Sequence, residues 1–456
     1  MRHQKKAFLK AAKNKSWDLE HRQTLHYNIT RYNQAVARGK TRYTDLEGAR
    51  NYVASLKRKV LSRWDEYLLA FEKNARRNGI KILWAKDSQE AITHLENILN
   101  KKQARLVMKS KSMVSEEIAF NQAMELRGIE VIETDLGEFI VQTAGEKPYH
   151  ILTPAMHKSK ADVAQLFNEK FDLPIDATPE AMTAFVREKL RIDFQRSDIG
   201  ISGANFLIAD IGGIALTENE GNGLMSTAFP KTQIAITGIE KIIPSFKDMA
   251  TVWTLLSQHG TGQQITAYNS VFTGPKKDDE NDGPEEIYLI LLDNGRSELY
   301  QLEEQYEALA CIRCGACLNA CPIYRNVGGY TYNAVYTGPI GAVISPHYKG
   351  MAEYHHLSFA CSTCGRCTEV CPVKIPLHEL LLFNRRDAFE AQMTEKHEAQ
   401  ALKIATNTLL SRQKMDAFGG ALKNAGASII GPYIWGKKRA MPHFARRSYS
   451  QQHSKD

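Results

Sequence analysis

Up to about residue 75 the apolar positions fall at three- and four-residue steps: Val53, Leu56, Val60, Leu61, Trp64, Leu68 and Leu69, with Arg50, Lys57, Arg58 and Glu66 between them. That is the spacing of one helical face, so the segment is read as helical, its stripe packing on whatever follows. From about residue 79 the period changes. Ile80–Trp84 is a short apolar run, and Asp87 follows as an N-cap with Glu90 three residues on. The helix it opens runs through Ile98 to a second strand at Ala104–Met108; Ser115 opens another helix to Leu126, and Gly128 precedes a third strand at Ile129–Glu133. Strands alternating with helices over short connections predict a parallel α/β sheet. Thr178–Pro179 marks a further helix start, cap then first-turn proline. Strands are expected at Phe206–Ala209, Ile214–Thr217, Gln233–Thr237, Thr266–Phe272 and Ile287–Leu292, with Lys276–Pro284 (KKDDENDGP) as a solvated loop. After Cys371 a helix is expected at Leu377–Phe389, followed by a patternless, Gly-rich and basic tail. The division this gives is a helical segment 1–78, an α/β domain 79–300, a cysteine-bearing domain 301–385 and a tail 386–456.

Composition changes the picture little. At 456 residues the chain is too long for one ordinary core, and 43% hydrophobic with 24% charged residues is ordinary for a globular protein. No stretch of eighteen or more apolar residues occurs; the most apolar, Ala204–Leu216, is broken by Asp210, Gly212 and Gly213 and reads as sheet core. The opening MRHQKKAFLKAAKNKSW is basic without an apolar core, so a surface helix is expected there and not a secretory signal. Part of the net charge of +8 sits in that opening and part in Lys437, Lys438, Arg439, Arg446 and Arg447. Nothing gathers it on one face with stacking aromatics, which argues against nucleic acid and for solvated ends or docking to an acidic partner. A cytoplasmic chain without a transmembrane segment is expected, with peripheral membrane association left open.

The chemistry lies in the cysteines. Cys311, Cys314, Cys317 and Cys321 are spaced C-x2-C-x2-C-x3-C with Pro322 following; Cys361, Cys364, Cys367 and Cys371 repeat the pattern before Pro372, and the chain has no ninth cysteine. Three thiolates two residues apart can cap three corners of an iron–sulfur cube, and in two-cluster proteins the fourth cysteine of each run serves the other cluster. By that rule Cys311, Cys314, Cys317 and Cys371 hold one [4Fe–4S] cluster, and Cys361, Cys364, Cys367 and Cys321 hold a second. Disulfides fit poorly in the absence of a secretory signal, and zinc sites use paired CxxC instead. Gly315 and Gly365 are placed where backbone must crowd the cluster. The long gap from Cys321 to Cys361 resembles the helical dicluster module of the iron–sulfur subunits of fumarate reductase and glycerol-3-phosphate dehydrogenase.

Three segments upstream stand out: Lys109-Ser110-Lys111-Ser112-Met113, His150–His157 (HILTPAMH) and Gly203–Gly223 (GANFLIADIGGIALTENEGNG). Glu218, Glu220 and Asn222 follow a strand among Gly221 and Gly223, so backbone can approach a small ligand; Lys109 and Lys111 at another strand end could supply charge to a carboxylate or phosphate. A Gly-rich turn with solvated charges is the plainer alternative, and structural roles are expected for the two histidines. In their order KSKSM, NEGN and paired cysteine runs, these motifs resemble the L-lactate utilisation protein B family. The resemblance implies a lactate-utilisation domain with a fold like that of ribose-5-phosphate isomerases and CoA transferases, then a mostly helical dicluster domain. It also implies an electron-transfer role in oxidising L-lactate to pyruvate, alongside two co-encoded partners, a cysteine-rich redox subunit and a second lactate-utilisation-domain protein. This chain departs from single-domain relatives at Ala209-Asp210-Ile211-Gly212-Gly213, where those more often carry Glu-Thr/Ser-Gly. No GxGxxG follows a strand, so hydride chemistry is expected in a partner. The competing expectation is a CoA-transferase-like enzyme or ligand-binding module with redox-sensing clusters.

Overall fold

The computed structural model describes residues 2–394, 396–431, 440, 441 and 443–453. The chain divides into two compact units, one ending at Asp387 and one from Ala388 onward.

The first unit opens with helices Arg2–Trp17, Leu19–Lys40, Leu46–Ser62 and Trp64–Arg77. Asp18 and Asp45 cap the second and third by accepting from backbone amides three residues on. The apolar stripe is buried as its period requires, apart from Leu69, which is exposed and lies off the packed face. Ten strands follow: β1 Lys81–Ala85, β2 Leu106–Lys109, β3 Glu130–Glu133, β4 Ile199–Ser202, β5 Phe206–Ile208, β6 Gly213–Glu218, β7 Thr232–Gly238, β8 Ile242–Ile243, β9 Tyr268–Phe272 and β10 Glu286–Leu292. Six of them form a wholly parallel sheet in the order β1-β10-β7-β4-β2-β3. Its faces carry separate apolar layers: Val107, Val131, Ile199 and Ile234 on one side, Ala235, Leu289 and Leu291 on the other.

The α/β reading is borne out in outline, with three corrections. Phe206–Ile208, Gly213–Glu218 and Tyr268–Phe272 do not extend the parallel sheet. They form a second sheet, β8-β5-β6-β9, in which β6 runs antiparallel to both neighbours. The four-residue link from β5 to β6, with Gly212 at φ +62°, is too short for a parallel crossover. The helix expected from Ser115 to Leu126 is two, Met113–Glu117 and Phe120–Glu125, capped by Ser112 and interrupted at Ala119, whose φ is +53°. Strand β4 falls where no strand was expected; at Gly200 a Cβ would lie 1.7 Å from the Ser226 carbonyl oxygen, so the position that spoils the apolar run is the one that lets a helix lie on it.

Past β10 the unit is helical: Pro322–Val327, Gly338–Lys349 and the helix from Leu377, which runs on to Glu390 beyond the unit's end at Asp387, are the main segments around the cysteine runs. Helix Leu46–Ser62 ties the sheets to this part. Arg50 donates to the carbonyls of Glu369 and Cys371, each at 2.9 Å, and Arg58 pairs with Glu307 at 2.8 Å. In the second unit Lys396–Leu409 and Gly420–Gly431 are helices, and Arg446 and Arg447 are exposed. Lys437, Lys438 and Arg439 lie outside the described residues. Among the described residues no helix is long and apolar enough to cross a membrane.

Candidate functional site

Each cysteine run is a tight loop leading into a short helix. Arg313 and Thr363, at the same place in the two runs, have φ of +61° and +52°, and Gly315 and Gly365 follow at +76° and +73°. Left-handed residues at these positions turn backbone amides toward the sulfurs: Arg313 N lies 3.4 Å from Cys311 Sγ and Thr363 N 3.2 Å from Cys361 Sγ. Tyr324 N and Ile375 N donate likewise to Cys321 and Cys371, at 3.5 and 3.4 Å. Such donors favour thiolate over thiol and tune a cluster bound there. The two glycines are therefore explained by their φ. A Cβ on Gly365 would meet nothing within 4 Å, while one on Gly315 would lie 3.3 Å from Leu152.

The structure sorts the cysteines into two quartets, each with three from one run and one from the other. Cys311, Cys314, Cys317 and Cys371 wall one recess of about 20 Å³, closed by Ile151, Ile340 and Val373. Cys321 lies among the second run, feeling the charges of Cys361 and Cys364, and Cys367 in turn feels Cys361, Cys321 and Cys364. Burial pushes the thiols of Cys321 and Cys371 up to about 11 and that of Cys367 to about 12. Thiolates at these depths call for a cationic core to hold their charge. No three of these sulfurs lie within 4.8 Å of one another, since among the described residues only Glu116, Glu133 and Glu138 form such a group. That openness suits a cube better than a single ion with bonds of about 2.3 Å to sulfur. The quartets differ in exposure: Cys314, Cys317 and Cys371 are buried, whereas Cys364 is exposed.

Beside the enclosed quartet lies a cavity of about 390 Å³. The carboxyl ends of β2, β4 and β6 and the start of helix Asn222–Ala228 open into it, the usual place for ligands in parallel α/β folds. Lys111, Glu218, Glu220 and Asn222 line it; Lys109 does not. Lys109 is fully buried, paired with Glu133 at 2.7 Å and Glu116 at 3.5 Å, because it shares the helix-covered sheet face of Val107 two residues earlier. Lys111 donates to the Leu152 carbonyl at 2.5 Å. Glu218 accepts from the Gly223 and Leu224 amides at 2.6 and 2.8 Å, and the Asn222 amide donates to it at 2.7 Å while accepting from Asp135 N. Both are fasteners of the Gly-rich turn. Glu220 accepts from Leu136 N at 3.0 Å; loss of water and then the Asp135 charge push its carboxyl up to about 7. His150 is a turn-former, its Nδ1 accepting from the Leu152 and Thr153 amides, and burial pushes its imidazole down to about 3. His157 pairs with Glu146 and stacks on Tyr149.

Lys241 and Arg313, which sequence reasoning passed over, line the same cavity. Lys241 carried a signal, a charge inside the apolar stretch Ile234–Ile243; Arg313 carried none, since any residue is allowed between the cysteines. Both belong to a buried ionic network. Arg296 makes a two-pronged pair with Glu117 at 2.9 Å and a third bond to Glu240 at 2.6 Å; Glu240 also faces Arg313 at 3.4 Å, and its carbonyl accepts from Lys57 at 2.8 Å. Arg296 and Arg313 stay charged against Glu117 and Glu240, while burial pushes Lys57 down to about 8 and Lys241 to about 7; Cys311 is close enough to act on Lys57, Lys241 and Arg313. Arg313 is the fixed cation that faces the Cys311 sulfur.

Residues 68–292 match the LUD domain and residues 307–375 the 4Fe-4S dicluster domain. Together with the quartets, the dicluster match supports two [4Fe–4S] clusters. The Lactate utilization protein B of Bacillus subtilis (strain 168) is 43% identical over 365 residues, 79% of this chain and 76% of that protein. The "Uncharacterized electron transport protein YkgF" of Escherichia coli (strain K12) is 43% identical over 355 residues, 78% and 74% of the two chains. A crystal structure of a duf162 family protein from Deinococcus radiodurans matches at 13% identity with a TM-score of 0.29, over 50% of this chain and 97% of that one, too weak a likeness to argue from. With an α/β domain before a helical dicluster region, and relatives this similar over most of their length, the chain belongs to the Lactate utilization protein B family.

Proposed function

We propose that this chain is the iron–sulfur electron-transfer subunit of a complex that oxidises L-lactate to pyruvate in the cytoplasm, working with a cysteine-rich redox subunit and a second lactate-utilisation-domain protein. The observation that carries the reading is the pair of mixed quartets, one enclosed beside the α/β domain and one reaching the surface at Cys364. Cys311, Cys314, Cys317 and Cys371 hold the enclosed cluster, and Cys361, Cys364, Cys367 and Cys321 the outer one. When bound, the clusters supply one-electron carriers. The chain's own part is to hold eight thiolates in two adjoining sets, donate amides to the sulfurs and keep the inner set dry.

The test is EPR with iron and sulfide analysis of anaerobically purified protein, with and without the co-encoded partners and L-lactate. The expected result is about eight irons per chain, at four per cluster, and reduced, spin-coupled signals that grow in only when partners and lactate are present. Clusters that assemble but stay oxidised under those conditions would favour the second reading, a CoA-transferase-like or ligand-binding α/β module with redox-sensing clusters. The cavity at the strand ends is the observation on that side. Lys109, which lies apart from the cavity, has no part in either reading beyond holding Glu133.

A further inference from the structure

The cavity's charges are unequally spent. Its acids are occupied: Glu218 is held by two amides and Asn222, Asp135 caps helix Leu136–Thr143 through the Glu138 amide at 3.1 Å, and Glu220 takes the Leu136 amide. Its cations are not. Lys241 is only 7% exposed, and among the described residues its amine has no hydrogen-bond acceptor although it borders open cavity; burial pushes it down to about 7, a loss an anion beside it would reverse. Arg313 stacks over Tyr336 at 4.7 Å and reaches Glu240 at 3.4 Å, which leaves its Nη1 buried without a partner. Lys111 spends one of three donors on Leu152. Buried donors left unsatisfied are costly, and about 390 Å³ is the size of a small-molecule site. Arg313 and Ile151 line this cavity and the recess of the enclosed quartet alike, so the two spaces are one residue apart.

We propose that the cavity binds a small organic anion through a carboxylate or phosphate group held by Lys111, Lys241 and Arg313, and that Arg313 couples its occupancy to the enclosed cluster. An anion there competes for the cations that balance the thiolates, so it binds the oxidised protein more tightly than the reduced one. The inference needs a cluster in the enclosed quartet but not lactate as the substrate of the complex.

The experiment uses the full-length, cluster-loaded chain under argon. Binding of pyruvate and, separately, of inorganic phosphate is measured by isothermal titration calorimetry, and the cluster midpoints by EPR-monitored titration with and without each. The proposal expects one-site binding of at least one of the two, weakened tenfold or more in Lys241→Met, largely restored in Lys241→Arg, and a lower midpoint for one cluster only. A tenfold preference for the oxidised state corresponds to about 59 mV for one electron. Pyruvate without phosphate makes the ligand a carboxylate; phosphate without pyruvate makes it a phosphate-bearing anion. If Lys241→Met fails to hold iron, Lys111→Met replaces it in the same comparison. Absence of binding by both probes, binding indifferent to both lysines, or unmoved midpoints would overturn the proposal. Because partners and lactate are absent from this measurement, its failure leaves the electron-transfer reading standing.

Discussion

Replacing Arg296 by Met probes the ionic network that joins the sheets to the cysteine loops. Arg296 is fully buried and donates to Glu117, Glu240 and the Asp293 carbonyl. Its loss leaves Glu117 with only the Tyr336 hydroxyl at 2.7 Å and the Asn294 amide at 2.6 Å, and Glu240 with Arg313 at 3.4 Å. Stranding a charge in this way costs about 3–5 kcal/mol, and the donors that remain place the expected value near the lower end, about 3 kcal/mol. Glu117→Gln removes one of the stranded charges, so the double variant should recover about 2 kcal/mol relative to the sum of the singles. Guanidinium unfolding under argon, followed by tryptophan fluorescence, reads this directly, because the Trp64 indole donates to the Ile239 carbonyl beside Glu240. An Arg296→Met cost under about 1 kcal/mol, or strictly additive singles, would refute the view that the network is tightly coupled.

Cys371→Ser should remove the enclosed cluster although Cys371 lies in the second run, and Cys321→Ser the outer one, each halving iron to about four per chain; loss confined to the mutated run would sink the crossed pairing. Gly365→Ala should cost about 1–2 kcal/mol for its left-handed backbone alone, and Gly315→Ala more, since its methyl also meets Leu152; unfolding midpoints in the reverse order would contradict this. Burial holds His150 at about 3 and His259 at about 4, below the ordinary 6.5. Their stabilisation is present above pH 6.5 and drains as pH falls, each contributing about 1.4 kcal/mol of loss by pH 5.5; His259→Gln should flatten that slope, and an unchanged slope would count against it. Glu220 has the opposite sign. Its raised carboxyl favours low pH: the wild type loses that stability as pH rises from about 4.5 through about 7, so Glu220→Gln should gain on it across that window and hold the gain above it, by at most about 1 kcal/mol given its contact with solvent, and denaturant midpoints at pH 5 and pH 7.5 check it.

Where local pattern decides structure, the sequence was readable. The cap at Asp87 forms, its side chain accepting from Glu90 N, as does the Thr178 cap before Pro179, and β7 and β10 lie within a residue of their apolar runs. Pairing is another matter. Phe206–Ile208 looks like any buried parallel strand, and only the shortness of the link to β6 distinguishes it. At the site, the two lysines of KSKSM are indistinguishable in sequence, yet the strand's alternation sends Lys109 into a carboxylate cage and the turn after it brings Lys111 to the cavity. Arg313 became visible only in three dimensions, because its importance comes from a neighbour distant in the chain, Glu240.

The unequal covering of the quartets has a consequence for how this protein wears out. The enclosed set is walled by Ile151, Ile340, Val373 and Ile375, while Cys364 faces solvent and Gly365 has open space beside it. Oxygen or a chelator therefore meets the outer set first. Chains exposed to oxidant should pass through a half-stripped form that keeps the iron of the enclosed set and the fold around it.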